Sequence, residues 1–265
     1  MPSAINPAPS APIDLDRIDI VLVSPRNPLN IGAVARAMAN FGFSQLTVVA
    51  PYEPHWREAQ SAVGAEDLLQ NANACATLSE ALASATLVFG TGTLERRRPE
   101  QPVIELPALA PLVHNELALG GRIALVFGPE KHGLTREDLS FCHRLLTIPT
   151  DSRQPSMNLG QAVAVCLYSL ASCLSQIEIR HQSEPDTRSD PAPDLAATSS
   201  SLDLLAGVIE ETMLAAGYSP RSMHAANHHD LRLLLRRLAP NAKDTRRILG
   251  LFRRILWRLT QPPAN

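Results

Sequence analysis

An α/β fold is predicted for this chain, with a parallel sheet covered by helices on both faces and a small helical domain after it. Three observations predict it. Short β-like apolar runs alternate with helix-period segments from Ile18 to about Ile179. The stretch HQSEPDTRSDPAPDLAATSSS, 181–201, then shows almost no aliphatic periodicity. Beyond it, residues 202–260 again carry apolar residues at helical spacing.

The elements follow in chain order. Residues 1–17 open on the Pro/Ala/Ser-rich MPSAINPAPSAP and are expected to be a disordered tail. Within 18–180 the strand-like runs fall at 18–23, 46–50, 86–90, 122–127 and 144–148, and the helical segments near 31–41, 79–84, 107–119 and 158–178. Residues 181–200 read as a linker and 201–265 as a helical extension. A length of 265 residues suffices for one α/β domain plus such a unit, and a hydrophobic share of 45% is that of a globular chain.

Charge and cysteine usage narrow the function classes. A formal net charge of -2 exerts no global pull on nucleic acid, so a polyanionic partner requires a local basic face. Cys75, Cys142, Cys166 and Cys173 lack CxxC spacing and sit among apolar neighbours, which predicts buried free thiols and no structural metal. His228-His229 likewise lacks metal spacing and reads as surface polar. With no positively charged n-region, no h-region and no run of eighteen uninterrupted apolar residues, the chain is expected to be cytoplasmic and to engage no membrane.

Three polar loops converge on one rim of the predicted sheet. In PRNPLNIGAVARAMANFGF, 25–43, the first strand reaches the carboxyl edge, where α/β proteins place ligands. Asn30 reads as the N-cap of a helix starting near Ile31, Gly32 as a point of close backbone approach, and Arg36 as a side chain under two turns away that can face the same crevice. In LVFGPEKHGLTREDL, 125–139, a strand runs into a glycine turn with Glu130 at the edge and Gly133 before a helix start. In IPTDSRQPSMNLGQAVAVCLYSL, 148–170, a strand end and a polar loop precede a long helix beginning near Asn158.

These segments, N-I-G-A-V-A-R, F-G-P-E-K-H-G-L and S-M-N-L-G-Q-A-V, resemble the three motifs of the SpoU/TrmH class of SPOUT methyltransferases, which transfer a methyl group from S-adenosylmethionine to a ribose 2′-hydroxyl of RNA. The resemblance covers about residues 18–175. The proline-containing linker, LLAGVIEETMLAAGY and the closing basic helix are similar to the tail of the branch that methylates nucleotide 32, cytidine or uridine, of the tRNA anticodon loop. Methylation of another tRNA or rRNA site, and RNA binding without catalysis, are the alternative readings.

The resemblance implies a homodimer and a deep trefoil knot formed by about Ala124–Tyr168, an exception to the rule against knotted chains. It implies that S-adenosylmethionine is held at Thr91, Gly92, Thr93, Gly128, Ile148, Pro155, Ser156 and Met157, largely through backbone groups. It also assigns the 2′-hydroxyl to Arg36, with Asn30, Glu130, Ser156 and Asn158 shaping the site. The plain alternatives are a solvated Arg36, a Glu130 that caps a helix or pairs with Arg36, an ordinary loop hydroxyl at Ser156 and an N-cap at Asn158.

One loop and one further position depart from the family pattern. The loop TGTLERRRP carries Arg96, Arg97 and Arg98 where relatives often have one arginine, which adds either RNA contacts or a solvated charge run. Pro155 stands where a serine is common, so a hydroxyl is lost there.

RNA also needs a basic surface. Ten basic residues between Arg221 and Arg258 (Arg221, Arg232, Arg236, Arg237, Lys243, Arg246, Arg247, Arg253, Arg254 and Arg258) stand against Asp230 and Asp244, a cluster suited to tRNA phosphates or to solvated helix faces. A nicotinamide oxidoreductase fits poorly, since G-T-G at 90–92 lacks the third glycine of GxGxxG.

Overall fold

The computed structural model describes residues 13–93, 99–183, 194–218 and 221–261. Arg96, Arg97 and Arg98, most of the N-terminal tail and residues 184–193 of the linker lie outside the described residues.

Among the described residues seven parallel strands form one sheet: β1 (Ile18–Val23), β2 (Gln45–Val49), β3 (Asn73–Cys75), β4 (Leu87–Thr91), β5 (Val103–Glu105), β6 (Ile123–Phe127) and β7 (Arg144–Thr147). Their order is β3-β2-β1-β6-β4-β7-β5, with every pairing parallel. All six residues of β1 and all five of β6 are buried, as an apolar run without alternation requires of a central parallel strand. β3 and β5, three residues each, were not expected from the sequence, since so short a run shows no period.

Helices cover both faces, because alternate strand residues point to opposite sides. Ile18, Ile20 and Leu22 face a core made with α1 (Pro28–Phe41), α4 (Leu109–Ala118) and α6 (Leu159–Ser183). Val21 and Val23 face a smaller core that includes Leu78 and Leu139 of two short helices, α3 (Leu78–Ala81) and α5 (Arg136–Ser140). A further short helix, α2 (Glu66–Asn71), leads into β3. The stretch Leu159–Ile177 of α6 is apolar and long enough to cross a membrane by length and composition alone. Its Leu159, Val163, Cys166, Leu167, Leu170 and Leu174 are buried in the first core.

Several boundaries differ from the sequence reading. The expected disordered tail, 1–17, ends in an ordered turn: a 3-10 turn spans Leu15–Arg17, and Ile13 and Leu15 pack against the first core. The expected linker, 181–200, is entered from both ends, since α6 runs to Ser183 and α7 (Ser199–Ala215) begins at Ser199. The Thr198 hydroxyl sets the second boundary by accepting the Ser201 amide as an N-cap. The first helix begins at Pro28, three residues before the expected Ile31, because Asn27 is its cap: Asn27 Oδ1 accepts the Leu29 amide at 3.0 Å and Pro28 occupies a first-turn position that needs no donor.

The C-terminal helices α7, α8 (His224–Leu238) and α9 (Ala242–Thr260) share a third core around Leu202, Leu205, Ala206 and Leu235. They dock on the face that the four-residue α3 and five-residue α5 leave thinly covered. The Ser199 and Ser200 amides donate to the Ala85 and Ala83 carbonyls, and Ser79 Oγ donates to Asp203 at 3.0 Å. From α8, Arg236 donates to the Phe141 carbonyl and to Asp203, both at 2.8 Å, and Arg232 donates to Ser140 at 2.8 Å and pairs with Glu137. Both guanidinium groups also stack on Phe141. Arg232 and Arg236 are therefore buried clamps between helices, a correction to their place in the expected RNA-binding surface.

Candidate active site

The carboxyl edge of the sheet holds a pocket of about 240 Å³ where β4, β6 and β7 end. Thr91, Gly92, Thr93, Gly128, Ile148, Pro155, Ser156 and Met157, from three loops, all line it. Glu130, Lys131, His132, Gly133 and Thr150 complete much of its polar wall, and Leu146 and Leu159 its apolar floor.

Backbone rather than side chain makes much of this wall. A Cβ on Gly128 would stand 2.2 Å from the Leu134 amide nitrogen, so only glycine lets the returning loop lie against β6. Among the described residues, its two chain neighbours aside, no atom comes within 4 Å of a Cβ built on Gly92. The Thr91 hydroxyl donates to the Val126 carbonyl at 2.9 Å, so its proton joins β4 to β6. Thr150 Oγ1 donates to the Pro155 carbonyl at 3.2 Å, and Asp151 accepts three hydrogen bonds from Arg153, one from its amide and two from its guanidinium, which shapes the last loop from within.

At the rim a chain of side chains ties together the three motif-bearing loops, those after β1, β6 and β7. Glu130 accepts the Arg26 and Asn27 amides at 3.1 Å each and Asn30 Nδ2 at 2.8 Å. Asn30 Oδ1 in turn accepts Asn158 Nδ2 at 3.0 Å, and Asn158 Oδ1 accepts the Gly160 amide at 2.9 Å. A carboxylate at one end and a backbone donor at the other fix the orientation of both amides. Burial alone raises the Glu130 carboxyl, but the donors from Asn30, Arg26 and Asn27 outweigh it and hold the group below the usual carboxylate range.

Asn30 is thus not the helix cap that the sequence suggested; with Asn27 in that role, its side chain is released to the rim. Asn158 accepts at the start of α6, as its N-cap reading required, while its other end joins Asn30. Gly32 is a point of close approach: a Cβ there would stand 2.2 Å from Ser61 Oγ and 2.9 Å from the Ala62 nitrogen. Arg36 is exposed on α1, outside the pocket wall, and makes no ion pair with Glu130. The four cysteines are free, with burial pushing Cys142 and Cys166 up to about 12, out of reach of thiolate chemistry.

The sequence reading missed Asn27 and Arg26, whose amides grip Glu130. The Asn-Pro pair at 27–28, a cap followed by proline in the first turn, is the signal that locates them.

Residues 17–168 match the family described as SpoU rRNA Methylase. The chain is 43% identical over 157 residues to the tRNA (cytidine/uridine/adenosine-2′-O-)-methyltransferase TrmJ of Pseudomonas aeruginosa, spanning 59% of this chain and 61% of that protein. It is 33% identical over 240 residues to the tRNA (cytidine/uridine-2′-O-)-methyltransferase TrmJ of Escherichia coli K12, spanning 90% and 94%. Its fold superposes on the crystal structure of TrmJ from Z. mobilis ZM4 with a TM-score of 0.74 and 28% identity, over 89% of this chain and 98% of that one.

Proposed function

The chain belongs to the SpoU rRNA methylase family, and from that membership we propose that it is an S-adenosylmethionine-dependent tRNA ribose 2′-O-methyltransferase acting on nucleotide 32, cytidine or uridine, of the anticodon loop. One observation carries the reading: loops far apart in sequence meet at one pocket, with the Asn30–Glu130–Asn158 chain at its rim. The pocket suits the cofactor chemically. Leu146, Ile148, Met157 and Leu159 offer an apolar floor for a base, while Thr93, Thr150 and Ser156 offer hydroxyls for a ribose or an amino acid end. When bound, the cofactor supplies an electrophilic methyl group on a sulfonium.

The protein's own task is to align the 2′-oxygen and assist loss of its proton. Arg36, an exposed guanidinium of α1 with no hydrogen-bond partner among the described residues, holds the neighbouring phosphate and polarises the hydroxyl. A group with a pKa above about 12 accepts no proton, so the proton leaves to solvent or to another group. Asn30, Glu130 and Asn158 keep the three loops in register, and Ser156 offers a hydroxyl to the reacting ribose.

The rest of the reading is assembled around that site. The order β1-β6-β4-β7 makes the chain cross β4 after β6, which supports a knot over Ala124–Tyr168. Exposed Leu29, Val165 and Tyr168 beside the packed α1 and α6 supply an apolar face for a homodimer. The tRNA backbone is met chiefly by α9, where Lys243, Arg246, Arg247, Arg253, Arg254 and Arg258 are exposed and Arg254 stacks on Trp257. The segment from β1 to the end of α6, 18–183, then forms the catalytic domain, the chain from α7 onward, 199–265, the tRNA-binding extension, and the enzyme works in the cytoplasm, where its substrate is. The test is mass mapping of ribose methylation on unmodified tRNA incubated with the purified protein and S-adenosylmethionine. A methyl group at nucleotide 32 is expected; unmethylated tRNA overturns the proposal.

A further inference from the structure

The exits of β1 and β2 are built alike, and neither is accounted for by the pocket. Ser24 and Ala50 take φ values of 44° and 43°, a region that residues with a Cβ rarely adopt, and each is followed by a proline. Backbone of this kind persists where the surroundings enforce it and clusters at functional sites. Here hydrogen bonds enforce it: the Ser24 amide donates to the Val49 carbonyl at 2.8 Å and the Tyr52 amide to the Pro25 carbonyl at 3.2 Å, lacing one exit to the other. The result is that Arg26 and Tyr52 are held together, the guanidinium 5.5 Å from the centre of the ring.

This pair serves no core. Tyr52 is 68% exposed, so most of its ring stands in solvent, and Arg26 is exposed beside it. Yet the pair is fixed to the catalytic rim, because the amide of Arg26 is one of the donors on Glu130. A rigidly presented aromatic face with a cation on it, next to a ribose-methylating site, matches what single-stranded RNA binds: a base stacks on the ring and a phosphate pairs with the guanidinium.

We infer that Arg26 and Tyr52 form a platform for an unpaired nucleotide flanking the methylated one, with its base stacked on Tyr52 and its phosphate held by Arg26. This rests on the RNA-methylating reading above and extends it to the recognition of a looped, unstacked substrate.

The test uses an anticodon stem-loop RNA with 2-aminopurine placed on either side of the target nucleotide, since stacking quenches its fluorescence. Wild-type protein should quench one of the two probes, Tyr52→Ala should not, and Tyr52→Trp should restore quenching. For methyl transfer, Tyr52→Ala should lower kcat/KM roughly tenfold or more, the loss of one stacked base, while S-adenosylhomocysteine binds with unchanged affinity. Arg26→Gln should weaken binding and flatten its salt dependence. Quenching that survives in Tyr52→Ala, or kcat/KM within about twofold of wild type, overturns the platform and leaves the enzyme assignment intact. Absence of methyl transfer by the wild type would instead defeat the enzyme assignment, and the quenching arm would still decide the platform.

Discussion

Replacing Arg236 by Met tests whether the C-terminal helices are an integral layer of the fold or a tethered appendage. The Arg236 side chain is 0% exposed and pairs with Asp203, which is 22% exposed. Burial pulls its guanidinium below the usual range and Asp203 pushes back, so the charge is retained only because partners surround it. Methionine keeps the unbranched apolar stem and loses the guanidinium with its donors, leaving the Phe141 carbonyl and Asp203 without their 2.8 Å bonds. Breaking a buried pair costs about 3–5 kcal/mol, and the residual exposure of Asp203, with Arg232 Nε 3.9 Å away, places this case near the lower end, at about 3 kcal/mol. The assay is urea unfolding of the full chain: the midpoint should fall with an unchanged slope, and Tm should drop by roughly 6–12 °C. Adding Asp203→Asn should recover part of the loss, because the carboxylate charge left without Arg236 is removed while an amide oxygen still accepts from Ser79. A single variant within about 0.5 kcal/mol of wild type would refute the clamp and return Arg236 to the solvated surface.

Two further expectations concern the site. Arg36→Lys should leave stability within about 0.5 kcal/mol, since Arg36 is exposed and lysine is an equally good helix former, yet lower single-turnover methylation at least roughly tenfold, because a point charge does not reproduce a bidentate fork; near-normal turnover would mean a merely solvated arginine. Glu130 has a lowered folded pKa, so its contribution is fully present above the ordinary glutamate value of about 4.3 and is lost as pH falls through the lower folded value; Glu130→Gln should reduce methyl transfer across the neutral range and abolish that acid-side loss of stability, and an unchanged acid limb in urea unfolding would count against the rim chain.

Much of the sheet was legible because its signals are local. A run such as IDIVLV has no polar side to offer solvent, so it reads as a central strand wherever it occurs. The start of α1 was misplaced for an equally local reason: two asparagines three residues apart both suit a cap, and the proline after Asn27 decides between them. The basic tail failed differently. Arg232 and Arg236 look in sequence like any charges on a helix face, and their partners Glu137 and Phe141 each lie 95 residues away.

The sequence by itself determined five of the seven strands, the three loops that carry the motifs and Gly32 as a point of close backbone approach, because strand period, turn chemistry and the space that a Cβ occupies act over a few residues. Only the tertiary structure decided which polar groups are still available for a ligand. Asn30 is free for the rim because Asn27 caps the helix, the Thr91 hydroxyl is committed to Val126, and two of the ten tail cations are withdrawn from solvent by Asp203, Ser140 and the Phe141 carbonyl. A hydrogen bond or a buried charge is satisfied by whatever the fold brings within about 3 Å, and that distance is set by packing between elements far apart along the chain.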